Sequence, residues 1–225
     1  MASSRYYPVF LDLLDRPCMV VGGGHVACRK VHSLVNAGAR VTVVAPEADT
    51  EIRNLAAEGR ITWNDRPYKP GDLSGAFLVF GATDDMDVNE AVAAEARQAG
   101  IPVNIVDVPG LCDVIIPAVV NRGDFQIAIS TGGAAPALAR TIRKQLEDEF
   151  PAWWENYIQT LRDVRGLIRE AFPTSIETRR ALCERLISGD LASRFAAGET
   201  PDAAAIFAAL TADGDPLLPE SEVHA

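Results

Sequence analysis

This 225-residue sequence lacks long apolar runs, basic clusters and paired cysteines. No stretch approaches the ~20 consecutive apolar residues of a membrane-spanning helix, and Met1–Pro8 lacks the charged-then-apolar layout of a signal peptide. We therefore expect a cytoplasmic protein with no membrane partner. Acidic residues outnumber basic ones by 31 to 21, for a formal net charge of −10. That balance, without a basic run, argues against a nucleic-acid partner.

Cysteine and histidine are both scarce, and neither shows the spacing of a metal site. The cysteines are Cys18, Cys28, Cys112 and Cys183, and the histidines are His25, His32 and His224. No C-x-x-C pair occurs among them, so the sequence predicts no disulfide framework and no bound metal. Buried thiols are the expected state of the cysteines.

The most informative stretch that is present is Pro17–Lys30, an apolar strand that turns through three glycines into a helix. Gly22, Gly24 and Ala27 fit the pattern G-x-G-x-x-G/A, in which backbone N–H groups approach a pyrophosphate at a helix N-terminus. The segment Gly22, Gly23, Gly24, His25 and Val26 is thus predicted to bind a dinucleotide. The alternative is that the glycine turn is purely structural. For His25 the alternative to a contact with the ligand is a solvated position.

Strands and helices alternate up to about residue 113, which predicts a Rossmann-type parallel sheet of the α/β class. Arg40–Ala45 is the second strand, and Pro46 and Glu47 follow where the adenosine ribose usually lies. Glu47 either bonds the ribose hydroxyls or precedes a surface helix at 49–58. Because no Lys or Arg follows to receive a 2′-phosphate, NAD is favoured over NADP.

Two later strands end at the same predicted edge of the sheet. Phe77–Gly81 is followed by Thr83, and Ile101–Val106 carries Asn104 and is followed by Asp107. Because ligand sites of open parallel sheets gather at the carboxyl ends of the strands, these side chains are expected at the cofactor edge.

The alternation stops after residue 113. Ile115–Val120 and Phe125–Ser130 flank Asn121–Asp124 as a hairpin, and a helix is predicted at 135–150. Ser130–Gly133 at its start is either an anion site or a simple N-cap. The predicted parts are 1–113, the parallel-sheet domain; 114–150, a small α+β segment; and 151–225, a helical C-terminal domain whose tail from Asp213 is frayed.

Five linked motifs together resemble the precorrin-2 dehydrogenase family, which includes the amino-terminal part of siroheme synthases. The motifs are Val21–Lys30, Ala82–Asp85, Asn104–Pro109, Cys112–Ala118, and Ile129–Gly133 with Pro136–Arg140. The resemblance covers roughly residues 7–172. It implies NAD-dependent oxidation of precorrin-2 to sirohydrochlorin and a homodimer built around 114–150. A methyltransferase module, found in the longest relatives, is expected to be absent here because the sequence ends at Ala225.

The resemblance also assigns residues. Asp107 occupies the position of the family's key aspartate, as general base or as substrate-orienting group, whereas the sequence alone favours a turn-forming role. Thr131 matches a Ser/Thr position near the active site, although Ala134 and Ala135 depart from the usual polar pair. Because the substrate carries many carboxylates, basic side chains are expected to hold it. The candidates are Arg122, Arg140, Arg143 and Lys144.

Three functions remain open from the sequence. The chain is a dehydrogenase of precorrin-2, a bifunctional dehydrogenase and sirohydrochlorin ferrochelatase, or a non-catalytic NAD-sensing module. Asn104–Pro109 and Ser130–Arg140 favour catalysis, because a sensor has no need of these motifs.

Overall fold

The computed structural model describes residues 5–212. Its first part contains a five-stranded parallel sheet, in agreement with the predicted fold class. The strands are β1 (Pro17–Val21), β2 (Arg40–Val44), β3 (Thr62–Asn64), β4 (Leu78–Gly81) and β5 (Val103–Ile105). β4 is wholly buried and three of the five residues of β1 are buried, as expected for central parallel strands covered by helices.

Three helices connect these strands. They are α1 (His25–Asn36), α2 (Thr50–Ala57) and α3 (Met86–Gln98). On α1 the buried residues Ala27, Val31 and Leu34 repeat at helical spacing, so one stripe packs on the sheet. Asp49 and Asp85 cap α2 and α3, their carboxylates accepting backbone N–H groups of the first turn. The beginnings of both helices are therefore fixed beside the strand ends.

The strand order β3-β2-β1-β4-β5 places the first strand in the middle of the sheet. The chain winds outward from β1 to β2 and β3, then crosses back to β4 on its other side. The connections leaving the carboxyl ends of β1 and β4 thus diverge, which leaves a crevice between them. The topology itself creates the place for a ligand.

The second part begins with an antiparallel pair, β6 (Ala118–Arg122) and β7 (Phe125–Ile129). The sequence placed the turn at Asn121–Asp124, but Asn121 and Arg122 are paired in the ladder and only Gly123 and Asp124 form the turn. Gly123 has a φ of +64°, which a two-residue hairpin turn accommodates most easily with glycine.

Between the hairpin and residue 212 there are five helices, close to the predicted positions. They are α4 (Pro136–Glu149), α5 (Trp154–Ala171), α6 (Ile176–Ser188), α7 (Leu191–Ala196) and α8 (Ala203–Leu210). From the sequence, Thr174 with Glu177 resembles a capping box, but in the structure the cap lies one residue later, where the Ser175 hydroxyl oxygen accepts the Thr178 N–H at 3.3 Å. The predicted frayed tail from Asp213 lies outside the described residues.

Contacts divide the chain into two compact units, each with its own core. Within residues 5–212, one unit runs up to Ile116 and includes Gly132–Ala134, and the other comprises Pro117–Thr131 and the chain from Ala135 to Ala212. The second unit is built on contiguous aromatic rings of Phe125, Phe150, Trp154 and Tyr157. Among the helices of residues 5–212, none is both long and apolar enough to span a bilayer. The three-part division predicted from the sequence remains a proposal.

Candidate functional site

A cleft of about 390 Å³ lies at the carboxyl ends of β1, β2 and β4. Three loops contribute its walls: the glycine turn after β1, the start of the β2–α2 connection, and the loop after β4. The lining residues are Gly22–Val26, Ala45–Glu47 and Ala82–Asp84. The structure therefore brings together eight residues that the sequence assigned to cofactor binding: Gly22, Gly23, Gly24, His25, Val26, Pro46, Glu47 and Thr83.

The three glycines of the turn are required for two different reasons. A Cβ on Gly22 would lie 2.2 Å from the Ala82 carbonyl oxygen, and a Cβ on Gly23 would lie 2.0 Å from that of Glu47. These two glycines permit the close approach of neighbouring backbone. A Cβ on Gly24 would meet no atom within 4 Å, so Gly24 instead faces open space in the cleft.

Gly24 is also the N-cap residue of α1, and no side chain within residues 5–212 caps this helix. The first-turn N–H groups of α1, with the positive end of the helix dipole, are thus directed at the cleft. A pyrophosphate fits this arrangement of free donors and free volume. His25, the first residue of the helix, is exposed beside it.

The wall formed after β2 is held by backbone contacts to the glycine turn. The Asp49 N–H donates to the Gly23 carbonyl at 2.7 Å, and the Trp63 indole N–H donates to the Ala45 carbonyl at 3.0 Å. Because Asp49 also caps α2, its carboxylate is engaged, whereas Glu47 is exposed at the cleft with its carboxylate available. Glu47 is therefore the group in position to accept hydrogen bonds from ribose hydroxyls.

The third wall is fixed by α3. The amide of Asn89 donates to the Thr83 carbonyl at 2.8 Å, and the Thr83 hydroxyl oxygen accepts the Asp85 N–H at 3.1 Å. Accepting this bond orients the Thr83 side chain but leaves its O–H proton to donate to a ligand. Thr83 thus combines a structural contact with a position in the cleft.

Asn104 does not belong to the cleft. Its side chain is buried, and its amide donates to the Val114 carbonyl at 2.9 Å. The amide thus bonds the segment that returns along β5 after residue 112, and Asn104 is not among the cleft-lining residues. Strand position alone predicted the edge correctly but not the direction of this side chain.

Asp107 lies two residues beyond β5 in a tight turn and is exposed. Its φ of +60° is in the left-handed region, which Asp tolerates better than most residues but which still costs about 1 kcal/mol. Cys112 holds this turn from inside, because its buried sulfur accepts the Ile105 N–H at 3.3 Å and donates to the Ile105 carbonyl at 3.1 Å. Asp107 is thus presented at the strand end by a conformation that the surrounding contacts enforce.

The structure adds Lys30, which the sequence analysis did not select. This lysine lies on α1, with its Nζ 5.6 Å from the centroid of the Phe80 ring in β4. Burial lowers the pKa of Lys30 and Arg29 adds to the effect, whereas the negative charge of Asp107 acts in the opposite direction. The sequence does contain a signal for this lysine. Lys30 lies one helical turn after Ala27, so it is on the side of α1 that packs on the sheet.

The predicted substrate residues Arg122, Thr131 and Arg140 lie in the second unit. The Arg122 guanidinium donates to the carbonyls of Phe150 at 2.8 Å and Glu147 at 3.2 Å, so it caps the C-terminus of α4. The Thr131 hydroxyl oxygen accepts the Ala135 N–H at 3.1 Å and supports the start of α4. Arg140 is exposed on α4, without a side-chain partner in residues 5–212.

Comparison with known protein families agrees with this architecture. An NAD(P)-binding family model matches residues 9–118, and the model of the "Sirohaem biosynthesis protein central" region matches residues 122–149. The first match contains every residue that lines the cleft. The chain therefore carries an NAD(P)-binding domain followed by a region characteristic of sirohaem biosynthesis proteins.

Individual relatives are similar over most of this chain. The siroheme synthase of Methylococcus capsulatus is 43% identical over 88% of this chain and 42% of its own length. That of Pseudomonas aeruginosa is 39% identical over 97% of this chain and 47% of its own length. The chain thus spans less than half the length of these two curated relatives.

A solved structure extends the comparison to three dimensions. The structure of SirC, precorrin-2 dehydrogenase, matches this chain with a TM-score of 0.71 and 32% sequence identity. The match covers 83% of this chain and 92% of the solved one. By fold, by sequence and by the order of its motifs, the chain belongs to the precorrin-2 dehydrogenase family.

Proposed function

We propose that this protein is an NAD-dependent dehydrogenase that oxidises precorrin-2 to sirohydrochlorin. The observation that carries the proposal is the cleft between three glycines and Glu47, at the same sheet edge as Asp107, in a chain of this family. The reaction removes one hydride and one proton from the macrocycle. Bound NAD⁺ supplies the hydride acceptor, and the protein must supply the orientation and a destination for the proton.

Selection of NAD over NADP is supported by the charges around the second strand end. Glu47 offers a carboxylate to ribose hydroxyls, and the nearby acidic residues Asp49 and Glu51 disfavour a 2′-phosphate. The basic residue Arg66, which follows β3, is bound to Asp72 by two hydrogen bonds of 2.7 Å. Its guanidinium is therefore engaged elsewhere.

Asp107 is proposed as the proton acceptor or as the group that orients the substrate. The enforced turn presents its carboxylate outward, where a substrate can reach it. Lys30 lies within electrostatic reach of Asp107, whose negative charge raises the pKa of the lysine against the effect of its burial. Lys30 itself is a candidate to bind a carboxylate of the tetrapyrrole.

The residues of the second unit that were predicted to bind the substrate are not equally available for that role. Arg122 is engaged in capping α4, which weakens its assignment to the substrate. Arg140 has no side-chain partner among the described residues, so its guanidinium can pair with a carboxylate. Thr131 retains a hydroxyl proton to donate. Homodimer formation through 114–150 and a cytoplasmic location also stay predictions, which light scattering and cell fractionation test.

An anaerobic assay with precorrin-2 and NAD⁺ tests the proposal directly. The absorbance of NADH and of sirohydrochlorin should rise together, and the rate with NADP⁺ should be lower. Cofactor binding without NADH formation would contradict the proposal and favour the NAD-sensing alternative. Adding ferrous iron to the product then distinguishes a bifunctional enzyme, which would consume sirohydrochlorin faster than the spontaneous reaction.

The role of Asp107 is tested by Asp107→Asn, which keeps the side-chain shape and tolerates the same backbone conformation. We expect NAD affinity to be unchanged and the oxidation rate to fall by about 10²–10⁴-fold, the usual contribution of a general base. Asp113→Asn is a matched control, because Asp113 is exposed in the same loop and pairs with Arg97 at 3.5 Å. Normal turnover by Asp107→Asn would remove Asp107 from the mechanism.

A further inference from the structure

Outside the cofactor cleft, three metal-ligating side chains converge between α1 and α2. Cys28 and His32 are four residues apart on α1, and Glu51 lies in the first turn of α2. Their sulfur, nitrogen and oxygen donor atoms all lie within 4.8 Å of one another. The i, i+4 spacing places the first two on one helix face, although it forms neither a C-x-x-C motif nor a histidine pair.

The contacts within this cluster are close to those of a coordination sphere. The Glu51 Oε2 atom lies 3.5 Å from the Cys28 sulfur and 2.6 Å from the His32 Nε2. Tetrahedral zinc with the usual bond lengths separates such donors by about 3.3–3.6 Å. The sulfur–oxygen separation already matches, and the nitrogen–oxygen separation requires the carboxylate and imidazole to part by less than about 1 Å.

The exposure of the three residues suits entry of an ion. Cys28 is buried at 4% exposure and belongs to the core beneath α1, so its position is fixed. The side chains of His32 and Glu51 are 44% and 65% exposed, so they can adjust and admit an ion from solvent. A surface His–Glu ion pair alone has no need of a buried sulfur directed at the same carboxylate oxygen.

We propose that Cys28, His32 and Glu51 bind a borderline divalent transition metal of the Zn²⁺ or Co²⁺ class, with a fourth position open to water. A thiolate, an imidazole and a carboxylate together select such ions over Mg²⁺ and Ca²⁺, which prefer oxygen donors alone. Because the thiolate is the form of cysteine that coordinates a metal, binding displaces the Cys28 thiol proton. The ion would link α1 to α2 and thereby brace the connection that carries Glu47.

Cobalt titration of the untagged, reduced protein tests the site without NAD or tetrapyrrole, so the result is independent of the proposed function. We expect a thiolate-to-cobalt charge-transfer band in the near ultraviolet and the strong visible bands of tetrahedral Co²⁺. Both should be displaced by Zn²⁺ and unaffected by Mg²⁺. Absence of the charge-transfer band in the wild-type protein would overturn the proposal.

Variants locate the site. Cys28→Ser should abolish the charge-transfer band, and His32→Ala, at an exposed position, should weaken Co²⁺ binding more than about 100-fold, beyond the effect of losing an outer-shell partner. Cys183→Ser is the matched control, because Cys183 is a partly exposed thiol in the second unit. Zn²⁺ should raise the melting temperature of the wild type but not that of His32→Ala. A band that survives His32→Ala unchanged, or that disappears in Cys183→Ser, would refute the assignment.

Discussion

Replacing Gly24 by alanine should weaken NAD binding while leaving the fold intact. Gly24 has φ −76° and ψ −177°, an extended conformation that alanine adopts readily, and the added methyl group meets no protein atom within 4 Å. Alanine is a poorer N-cap than glycine but reduces the entropy of the unfolded chain, so these two effects largely cancel. The free energy of unfolding should change by less than about 1 kcal/mol.

The expected loss of affinity follows from the position of the methyl group. It lies in the cleft at the N-terminus of α1, where the pyrophosphate is expected to approach the backbone. Displacing the phosphate would cost at least one hydrogen bond to a charged group, worth about 1.5–3 kcal/mol. The dissociation constant for NAD should therefore rise by about 10–150-fold.

Two further glycine-to-alanine variants show whether the loss of NAD affinity is specific to Gly24. Gly23→Ala should lose stability as well as affinity, by about 1–3 kcal/mol, because its methyl group would lie 2.0 Å from the Glu47 carbonyl oxygen. Gly166→Ala, within α5, should gain up to about 1 kcal/mol and bind NAD normally. Urea unfolding and calorimetric NAD titration measure both quantities. Wild-type affinity in Gly24→Ala would show that the pyrophosphate does not lie at Gly24.

Three more outcomes follow from the structure. Glu47→Ala should weaken NAD binding by about tenfold or more but leave NADP binding nearly unchanged, because a carboxylate–ribose bond is lost; equal losses for both cofactors would contradict the ribose role. Arg122→Ala should lower the free energy of unfolding by about 1–3 kcal/mol, since two α4 carbonyls lose their donor, and an unchanged urea midpoint would refute the cap. The guanidinium of Arg66 holds the pKa of Asp72 below its usual value. Asp72→Asn should therefore be destabilising at pH 7, and its deficit relative to wild type should shrink as the pH falls below about 4, through the lowered folded-state pKa; a deficit that is constant with pH would exclude the ion pair as its cause.

The sequence predicted the strands and helices of the first unit to within a few residues. It did so because buried parallel strands are short apolar runs and the intervening helices carry their own stops, such as Gly38, whose φ is +77°. The glycine turn was equally predictable from the sequence, since a strand followed by G-x-G-x-x-A fixes both the turn and the helix start. The edge where Glu47 and Asp107 lie follows from the strands being parallel, whereas the strand order β3-β2-β1-β4-β5 came from the structure.

Side-chain directions at that edge depended on partners distant in sequence. Asn104 was expected at the cofactor, yet its amide bonds the carbonyl of Val114, which the chain brings back beside β5. Arg122 was expected at the substrate, but the end of α4 offers its guanidinium two unpaired carbonyls. Neither partner can be inferred from the residues adjacent to the arginine or the asparagine.

Local pattern thus determined the sheet, the glycine cleft and the family, because periodicity, turn chemistry and motif spacing are properties of contiguous residues. Tertiary structure alone decided which polar groups were already satisfied and which still face a ligand. It also brought Lys30 within electrostatic reach of Asp107, and Glu51 to Cys28 and His32 across two helices. The physical reason is that hydrogen bonds and charge interactions act over a few ångströms, a distance that only the folded chain defines.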